Sequence, residues 1–384
     1  MSTEVVSSGE VSLLHRLVLE QSYSGNEKPV AGLLASILCD LGWSATLDET
    51  GNLVASKWDG GKTLLFLGHL DTAPGRPDVR IEDCTLWGRG SVDAKGSLAA
   101  FIAAVGRFER EHETQGIPAR LVLIGAVGEE AESPGARAIL QKYQPDWCVV
   151  GEPSGWEGIT VGYKGHLPLT VTVRCPEAHH AGRFGNALEA AIHVFCLIND
   201  MCAENGKSAF NSLSCSLNDI SGTSDGLRSE AVLKITLRVP PALGLEKIVT
   251  LLRETLPYDT LRRATVLPEP PPETISAQAN RLPPGLEVSW QTGLFVPPYV
   301  APKNNHLVRS FVSAVRAAGG NPRFKLKTGT SDMNIVGPAW NCPILAYGPG
   351  DSSLDHTPEE HLPLAEYGQA IVVWQHALAA LLET

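Results

Sequence analysis

Three apolar segments of strand length constrain the fold of this chain most strongly, because each ends directly in histidine or acidic residues. They are TLLFLGHLD at 63–71, ARLVLIGAVGEE at 119–130 and DWCVVGEP at 146–153. Such runs are typical of strands buried on both faces of a sheet. Between them, SLAAFIAAVGRFERE at 97–111 and SPGARAILQKY at 133–143 carry apolar residues at helical spacing. The alternation of strands and helices predicts an α/β domain.

Side chains that can bind a metal ion follow the predicted strands. In α/β sheets, functional groups gather where strands end and loops begin. Two further segments add similar side chains: the glycine-rich turn WGRGSVDAKG at 87–96 and the strand and loop ILAYGPGDSSLDHTPEEH at 344–361. The candidate site residues in these segments are His69, Asp71, Asp93, Glu129, Glu130, Glu152 and His356. Two imidazoles with several carboxylates match the ligand set of zinc or a related metal.

The adjacent pair Glu129 and Glu130 gives a physical reason to expect a cation. Two neighbouring carboxylates at the end of a buried strand repel each other and lose hydration, so a positive charge must compensate. In an extended segment their side chains point in different directions. One can therefore bind metal while the other faces the substrate as a base. The alternative is that GEEAES at 128–133 is a solvated loop.

Composition and charge exclude several classes of partner. With 384 residues, of which 43% are hydrophobic and 19% charged, the chain is long enough for two domains. The formal net charge of −11 argues against nucleic acid or an anionic membrane as a partner. No segment approaches the ~18 consecutive apolar residues of a membrane span, and the N-terminus does not have the pattern of a signal peptide. We therefore expect a cytoplasmic protein.

The ordered motifs resemble those of a known enzyme family. GHLDTAPG, LWGRGSVDAKGSLAA, GEEAESPGA, GEPSG and DHTPEE are similar to the motifs of the zinc-dependent aminoacylase, acetylornithine deacetylase, succinyl-diaminopimelate desuccinylase and carboxypeptidase family. The resemblance implies a mixed-sheet, zinc-exopeptidase-like α/β catalytic domain with an inserted α+β domain of ferredoxin-like type. We expect the catalytic domain at 1–164 and 286–384 and the insert at 165–285. In the family the insert mediates dimerisation and covers the site, which implies a homodimer.

The resemblance also implies the ligands of two divalent metal ions. His69, Asp93 and Glu152 would hold one ion, and Asp93, Glu130 and His356 would hold the other, with Asp93 bridging them. Zn²⁺ is the expected metal, with Co²⁺ as the alternative.

Three further residues take catalytic roles by resemblance. Asp71 would accept the second ring N–H of His69 and fix its orientation. Glu129 would be the general base that deprotonates the metal-activated water and then protonates the leaving amine. PEAHHAGRFG at 176–185 corresponds to the family segment whose histidine stabilises the oxyanion. His179 fits that role by its position after a small residue, and His180 is the alternative.

Substrate-binding residues are predicted in two regions. Asn218 in SLNDISG and Arg238 in ITLRVP resemble family residues that hold a substrate carboxylate; the alternative for Arg238 is a surface charge on an edge strand. The segment KTGTSDMN at 327–334 resembles the acetyl-lysine and acetylornithine deacetylase branch. Its pocket residues would be Lys327, Thr328, Gly329, Thr330 and Ser331, with Asp332 facing an amine. The alternative is a loop that only supports the metal site.

The sequence thus predicts an amide hydrolase that removes an acyl group, in first place acetyl, from the N2 amine of lysine or ornithine in lysine or arginine biosynthesis. A metallo-dipeptidase or carboxypeptidase is one alternative. Another is release of lysine or ornithine from an amino-group carrier protein. We prefer a small acylated amino acid, because the net charge of −11 offers no obvious basic surface for an acidic carrier. A binding protein without metal is disfavoured, since every expected site position is occupied.

Overall fold

A computed structural model describes residues 6–112, 117, 119–177, 179, 185–203, 208–256, 283 and 285–382. The chain divides into two compact units, the first of residues 1–162, 300–326 and 331–384 and the second of residues 163–299 and 327–330. No helix in the described ranges is long and apolar enough to cross a membrane.

The described helices and strands follow one another along the whole chain. The helices are α1 Ser8–Leu19, α2 Lys28–Asp40, α3 Lys95–Glu111, α4 Pro134–Ile139, α5 Ala187–Ala203, α6 Leu245–Thr255, α7 His306–Ala317, α8 Met333–Trp340 and α9 Leu364–Leu382. The strands are β1 Ser44–Leu47, β2 Leu53–Lys57, β3 Lys62–His69, β4 Arg80–Glu82, β5 Thr85–Trp87, β6 Ala119–Ala126, β7 Trp147–Val150, β8 Gly158–Tyr163, β9 Gly165–Pro176, β10 Ser214–Ser224, β11 Arg228–Val239, β12 Glu287–Thr292, β13 Tyr299–Val300, β14 Arg323–Lys327, β15 Ile344–Ala346 and β16 His361–Pro363.

A nine-stranded mixed sheet organises the first unit. Its strand order is β1-β2-β6-β3-β7-β15-β8-β13, and β14 pairs with β8 off this path. β3 runs parallel to both β6 and β7, and β7 runs parallel to β15. The last six residues of β3 and of β6 are all buried, as the continuous apolar segments predict.

Aromatic packing fixes the helices on this sheet. Phe66 of β3 stacks on Phe101 of α3, with 4.4 Å between the ring centroids. Trp374 of α9 packs edge-on against Phe101 at 4.9 Å, and Phe311 of α7 packs edge-on against Trp374 at 5.0 Å. Such aromatic contacts add to the stabilisation from burying apolar area. β3, which ends at the candidate site, is therefore anchored in the centre of the core.

A salt bridge ties α1 to α3. Glu10 and Ser7 form a capping box at the start of α1. Both carboxylate oxygens of Glu10 also accept hydrogen bonds from Arg107 of α3, at 2.6 Å each. This bidentate pair lies toward the C-terminal end of α3, about 18 Å along the helix axis from Lys95.

The second unit is built on a four-stranded antiparallel sheet. Its strand order is β10-β11-β9-β12. The described elements follow the chain order β9, α5, β10, β11, α6, β12, which is the ferredoxin-like βαββαβ arrangement. Burial alternates along β9 and β11, and the buried face packs against helix residues such as Val194 and Ile248. The predicted combination of a mixed-sheet α/β domain with an inserted α+β domain is confirmed.

The end of the inserted domain differs from the position that the sequence suggested. We predicted the insert at 165–285, whereas the second unit continues to 299 and includes 327–330. The reason is β12, whose residue Val288 lies opposite Val173 in an antiparallel pair with β9. A strand that completes this sheet belongs to it, so the predicted boundary falls before the last strand of the unit.

Candidate metal centre

The parallel strands bring the predicted ligands to one edge of the large sheet, which we call the site edge. His69 is the last residue of β3 and lies opposite Ala126, the last residue of β6. Leu67 of β3 lies opposite Val150, the last residue of β7. The loops that carry the acidic residues after β6 and β7 therefore begin beside His69, because parallel strands end on the same side.

Asp93 lies between the two imidazoles and offers one carboxylate oxygen to each. Its Oδ1 atom is 3.0 Å from His69 Nε2, and its Oδ2 atom is 3.2 Å from His356 Nε2. Glu130 Oε1 is 2.9 Å from the same His356 nitrogen. Ligand atoms of Asp93, Glu130 and His356 all lie within 4.8 Å of one another. Asp93 thus places one carboxylate oxygen beside each of the two imidazoles.

The residues in this cluster fit a divalent cation. His356 Nε2 carries at most one proton, yet the carboxylates of both Asp93 and Glu130 face this atom. Glu130 Oε1 is buried, and among the described residues no donor reaches it with hydrogen-bond geometry. A buried carboxylate oxygen without a donor is unfavourable unless a cation pairs with it. Imidazole nitrogen and carboxylate oxygen are the donors of zinc sites.

Electrostatic shifts show how strongly this cluster favours positive charge. The carboxylates of Asp93 and Glu130 beside its ring raise the pKa of His356 to about 10. Burial opposes ionisation of Asp93, but hydrogen bonds from His356 and His69 hold the pKa of Asp93 well below its usual value. Burial also disfavours a charged His69, but the carboxylates of Asp71 and Asp93 raise its pKa well above its usual value. A proton or a metal ion can satisfy this demand.

Asp71 organises the loop after β6. Its carboxylate oxygens accept the backbone N–H groups of Glu129 and Glu130, each at 3.0 Å. Ser24 Oγ donates to the same carboxylate at 2.7 Å. We predicted that the Asp71 carboxylate would accept the ring N–H of His69. The His69 Nδ1 atom instead lies closer to the backbone carbonyl of Asp71, at 2.9 Å, than to its Oδ1 atom, at 3.5 Å.

Glu129 and Glu152 lie at the site edge, where their negative charges repel each other. Burial, followed by the negative charge of Glu152, raises the pKa of Glu129 well above the usual carboxyl value. Glu152 is itself buried, two residues after the end of β7. Asp332 is buried as well, and its burial raises its pKa to about 6. A carboxyl group with a raised pKa can take up and release a proton near neutral pH.

The predicted substrate residues form contacts within the second unit. Arg238 Nη1 donates to Thr330 Oγ1 at 2.9 Å, and Thr330 Oγ1 donates to the carbonyl oxygen of Lys164 at 3.0 Å. Asn218 is exposed on β10 and donates to Thr236 Oγ1 at 3.3 Å. His179 is exposed, and its alternative, His180, lies outside the described residues.

The KTGTSDMN segment is divided between the two units. Residues 327–330 belong to the second unit, and Ser331 belongs to the first. Thr328 is exposed, and Gly329 has open space where a side chain would lie. Ser331 is buried, and its Oγ atom accepts the backbone N–H of Met333 at 3.2 Å. Ser331 therefore supports the start of α8. Residues Lys327–Thr330 belong to the same unit as Arg238.

Sequence reasoning missed Arg89 and Glu360, although both lie inside the quoted motifs. They form a buried ion pair at 2.7 Å beside the cluster. A signal for Glu360 is present in the second Glu-Glu pair of the chain, at 359–360, of which Glu359 is exposed and Glu360 is buried. The other Glu-Glu pair, at 129–130, indicates two different roles for its members in the same way.

The fold and this cluster define a metal-dependent hydrolase with a catalytic and an inserted domain. The sequence profile of Peptidase family M20/M25/M40 matches residues 65–380, and the chain belongs to this family. The family, the fold class and the hydrolase class that the motifs predicted are thereby confirmed.

The chain is similar to other proteins of known name over nearly its whole length. It is 40% identical to the LysW-lysine hydrolase of Deinococcus radiodurans, covering 96% of each chain. It is 36% identical to a putative LysW-lysine/LysW-ornithine hydrolase of Pyrococcus furiosus, covering 97% of each. The structure of an M20 family metallo-carboxypeptidase from Sulfolobus solfataricus matches with a TM-score of 0.73 at 16% identity, covering 98% of this chain and 100% of that one. The last similarity concerns the fold alone.

Proposed function

We propose that this chain hydrolyses the amide bond between a carrier protein and lysine or ornithine, and so releases the amino acid in lysine or arginine biosynthesis. The observation that carries the proposal is the 40% identity to the LysW-lysine hydrolase of Deinococcus radiodurans across 96% of both chains. The relative from Pyrococcus furiosus supports ornithine as a second product.

The carrier conjugate replaces the free acetylated amino acid that we predicted first. That prediction used the net charge of −11 as evidence against binding an acidic carrier. Net charge describes the whole chain, whereas recognition depends on the local potential at the contact surface. The relatives therefore favour the carrier alternative over the acetyl substrate.

The metal ligands in this proposal are those at the site edge. His69, Asp93 and Glu152 would hold one divalent ion, and Asp93, Glu130 and His356 would hold the second. We propose Zn²⁺ because imidazole and carboxylate groups together are its typical donors. Bound there, the ions would polarise the scissile carbonyl and acidify the attacking water.

The proton transfers belong to Glu129. Its carboxylate takes the proton from the attacking water and delivers it to the nitrogen of the leaving amine. Asp71 keeps the Glu129 side chain available, because its carboxylate holds the backbone of Glu129 and Glu130 through their N–H groups. Glu130 can then face the cluster while Glu129 faces the substrate.

The second unit contributes the proposed substrate contacts. Arg238, whose guanidinium donates to Thr330, would bind the substrate carboxylate together with Asn218. His179 would donate to the oxyanion. We further propose that this unit forms a homodimer, which sedimentation velocity tests directly: a monomer at micromolar concentration would contradict it.

A comparison of substrates tests the proposed function. Zinc-loaded protein should hydrolyse lysine or ornithine linked to the carrier protein with at least about tenfold higher kcat/KM than acetyl-lysine, acetylornithine or dipeptides, a difference of about 1.4 kcal/mol in transition-state binding. Product amines are measured by chromatography. Preference for acetylornithine would restore our first prediction, and preference for dipeptides would make the chain a peptidase. Metal analysis of the purified protein tests the two-ion site independently.

A further inference from the structure

A buried ion pair joins two distant parts of the candidate metal centre. Arg89 Nη1 lies 2.7 Å from Glu360 Oε2, and the exposed fractions of the two side chains are 9% and 0%. Arg89 precedes Asp93 by four residues, and Glu360 follows His356 by four residues. Each partner therefore belongs to a segment that carries a ligand of the same cluster.

Glu360 holds the loop that carries Asp93. Its Oε1 atom accepts backbone N–H groups from Gly90 at 2.8 Å, Val92 at 3.1 Å and Asp93 at 3.2 Å. Three N–H groups around one anionic oxygen fix the conformation of the loop, since hydrogen bonds to a carboxylate are stronger than those between neutral groups. The backbone of Asp93 is therefore set by a side chain from the segment of His356.

Arg89 holds the segment of His356 in return. Its Nη2 atom donates to the carbonyl oxygen of His356 and its Nη1 atom donates to that of Thr357, both at 3.2 Å. His356 has a φ of +63°, in the left-handed region that residues with a side chain rarely adopt. Such a conformation persists only where the surroundings enforce it. The bond to Arg89 supplies this enforcement at the ligand itself.

We propose that the Arg89–Glu360 pair is a positioning device for the metal centre: it fixes the backbones of Asp93 and His356 at the spacing that metal binding requires, although neither of its side chains is a ligand. The inference rests on the proposed function, which places metal ions on these residues. Its contacts reach two of the three segments that carry proposed ligands of the ion of Asp93, Glu130 and His356. The other proposed ion shares only Asp93 with this arrangement, so the pair should affect it less.

Metal titration of two variants tests the proposal. Glu360→Gln keeps the shape of the side chain but removes its charge, and Arg89→Lys keeps the charge but loses the fork of donors. Chelator-stripped protein is titrated with Zn²⁺ in competition with a chromophoric chelator. Loss of a residue that orients metal ligands lowers metal affinity roughly 10- to 100-fold. We expect this loss for one of two ions in both variants, with a smaller change for the other.

A matched control separates positioning from general stability. Glu10→Gln breaks the Glu10–Arg107 pair, which is also partly buried and joins two elements of the same unit. Thermal unfolding of the stripped proteins should show lower melting temperatures for Glu10→Gln and Glu360→Gln alike, whereas only the latter should bind Zn²⁺ more weakly. If Glu360→Gln does not fold, Arg89→Lys carries the comparison. The absorption spectrum of the Co²⁺-loaded protein should change in Arg89→Lys and not in Glu10→Gln.

The possible outcomes distinguish this inference from the proposed function. The two-ion site is supported if the wild-type protein binds two ions and the variant His356→Ala binds only one. Unchanged affinities in Arg89→Lys and Glu360→Gln would then overturn the positioning role alone, as would an equal loss of affinity in Glu10→Gln. A wild-type protein that binds no metal would overturn the proposed function and the positioning role with it.

Discussion

At Glu129 and Glu130, one short stretch of backbone presents two carboxylates to different surroundings. Both backbone N–H groups donate to the single carboxylate of Asp71, so neither peptide can rotate without losing a partly buried hydrogen bond. Glu130 lies 2.9 Å from His356, while the pKa of Glu129 is raised by burial and by Glu152. Under the proposed function, the direction of the side chains would thus set the distinction between ligand and base, since the two residues are chemically identical.

Substitution of Glu129 should separate catalysis from metal binding. Glu129→Gln removes the group that accepts the proton but keeps the size of the side chain, so kcat should fall by about two to four orders of magnitude. Both metal ions should remain, because Glu129 is not among the proposed ligands. Steady-state kinetics and metal analysis measure the two effects. Glu132→Gln, at an exposed position of the same loop, is the control and should retain activity; retained activity in Glu129→Gln would remove Glu129 from the mechanism.

Part of the centre was readable from the sequence because the signal was local. His69, Glu129, Glu130 and Glu152 each follow an apolar strand segment directly, and parallel strands must end together. The role of Glu360 was not readable in this way. Its partner Arg89 is 271 residues away in the chain, and the pair meets only when the loops from the two ends of the domain fold against each other.

At the level of secondary structure, close packing of β3 against the loop after β7 holds the site edge together. Gly151, which precedes Glu152, has no room for a side chain, since a Cβ atom there would lie 2.4 Å from the ring of Phe66. Phe66 is fully buried and stacked on Phe101, so its ring has no free direction in which to move.

Gly151→Ala should therefore destabilise the protein. Overpacking of this kind lowers the free energy of unfolding by about 1–3 kcal/mol. Urea denaturation of the variant measures the loss. Gly32→Ala is the matched control, because Gly32 is exposed in α2 with nothing within 4 Å of the added methyl group; alanine in a helix is more stable than glycine by about 0.5–1 kcal/mol. An unchanged stability in Gly151→Ala would show that Phe66 can move.

The pairing of β9 with β11 makes the second unit sensitive to acid. His166 lies opposite Arg238 in this pair. Burial and the positive charge of Arg238 lower the pKa of His166 from 6.5 to about 4. As the pH falls, the unfolded chain therefore binds a proton before the folded one does, and stability is lost between pH 6.5 and about 4.

His166→Gln should weaken this dependence on pH. The variant lacks the titrating group, so its free energy of unfolding should fall less than that of the wild type between pH 6.5 and pH 4. Urea midpoints at pH 7 and pH 4.5 measure the difference. Equal losses in the two proteins would show that His166 does not contribute to the acid sensitivity.

For the whole molecule, the sequence indicated the two-domain plan better than it indicated the junctions. The change from continuous apolar strands to alternating ones marks the inserted unit, because a sheet covered on one face alternates and a sheet covered on both does not. The point near residue 300 where the chain returns to the first unit shows no such change of pattern. β12 is short and only one of its residues, Val288, is buried, so its membership in the second sheet depends on pairing with β9 and not on its own pattern.

Removal of metal should affect the two units unequally. All five proposed ligands belong to the first unit, since they lie between 69 and 152 and at 356. An ion that binds only the folded state stabilises it by about 2.7 kcal/mol at a free concentration one hundred times its Kd. Chelation should therefore lower the free energy of unfolding of the first unit and increase hydrogen exchange in β3, β6 and β7. Exchange in β9 and β11 should change little, because their hydrogen bonds lie within the other sheet. Mass spectrometry of peptides from both units measures the difference. Adding Zn²⁺ back should restore protection in the wild type. Asp93→Ala should respond neither to chelation nor to Zn²⁺. Equal loss of protection in both sheets would mean that the stability contributed by the metal is not confined to the unit that carries its ligands.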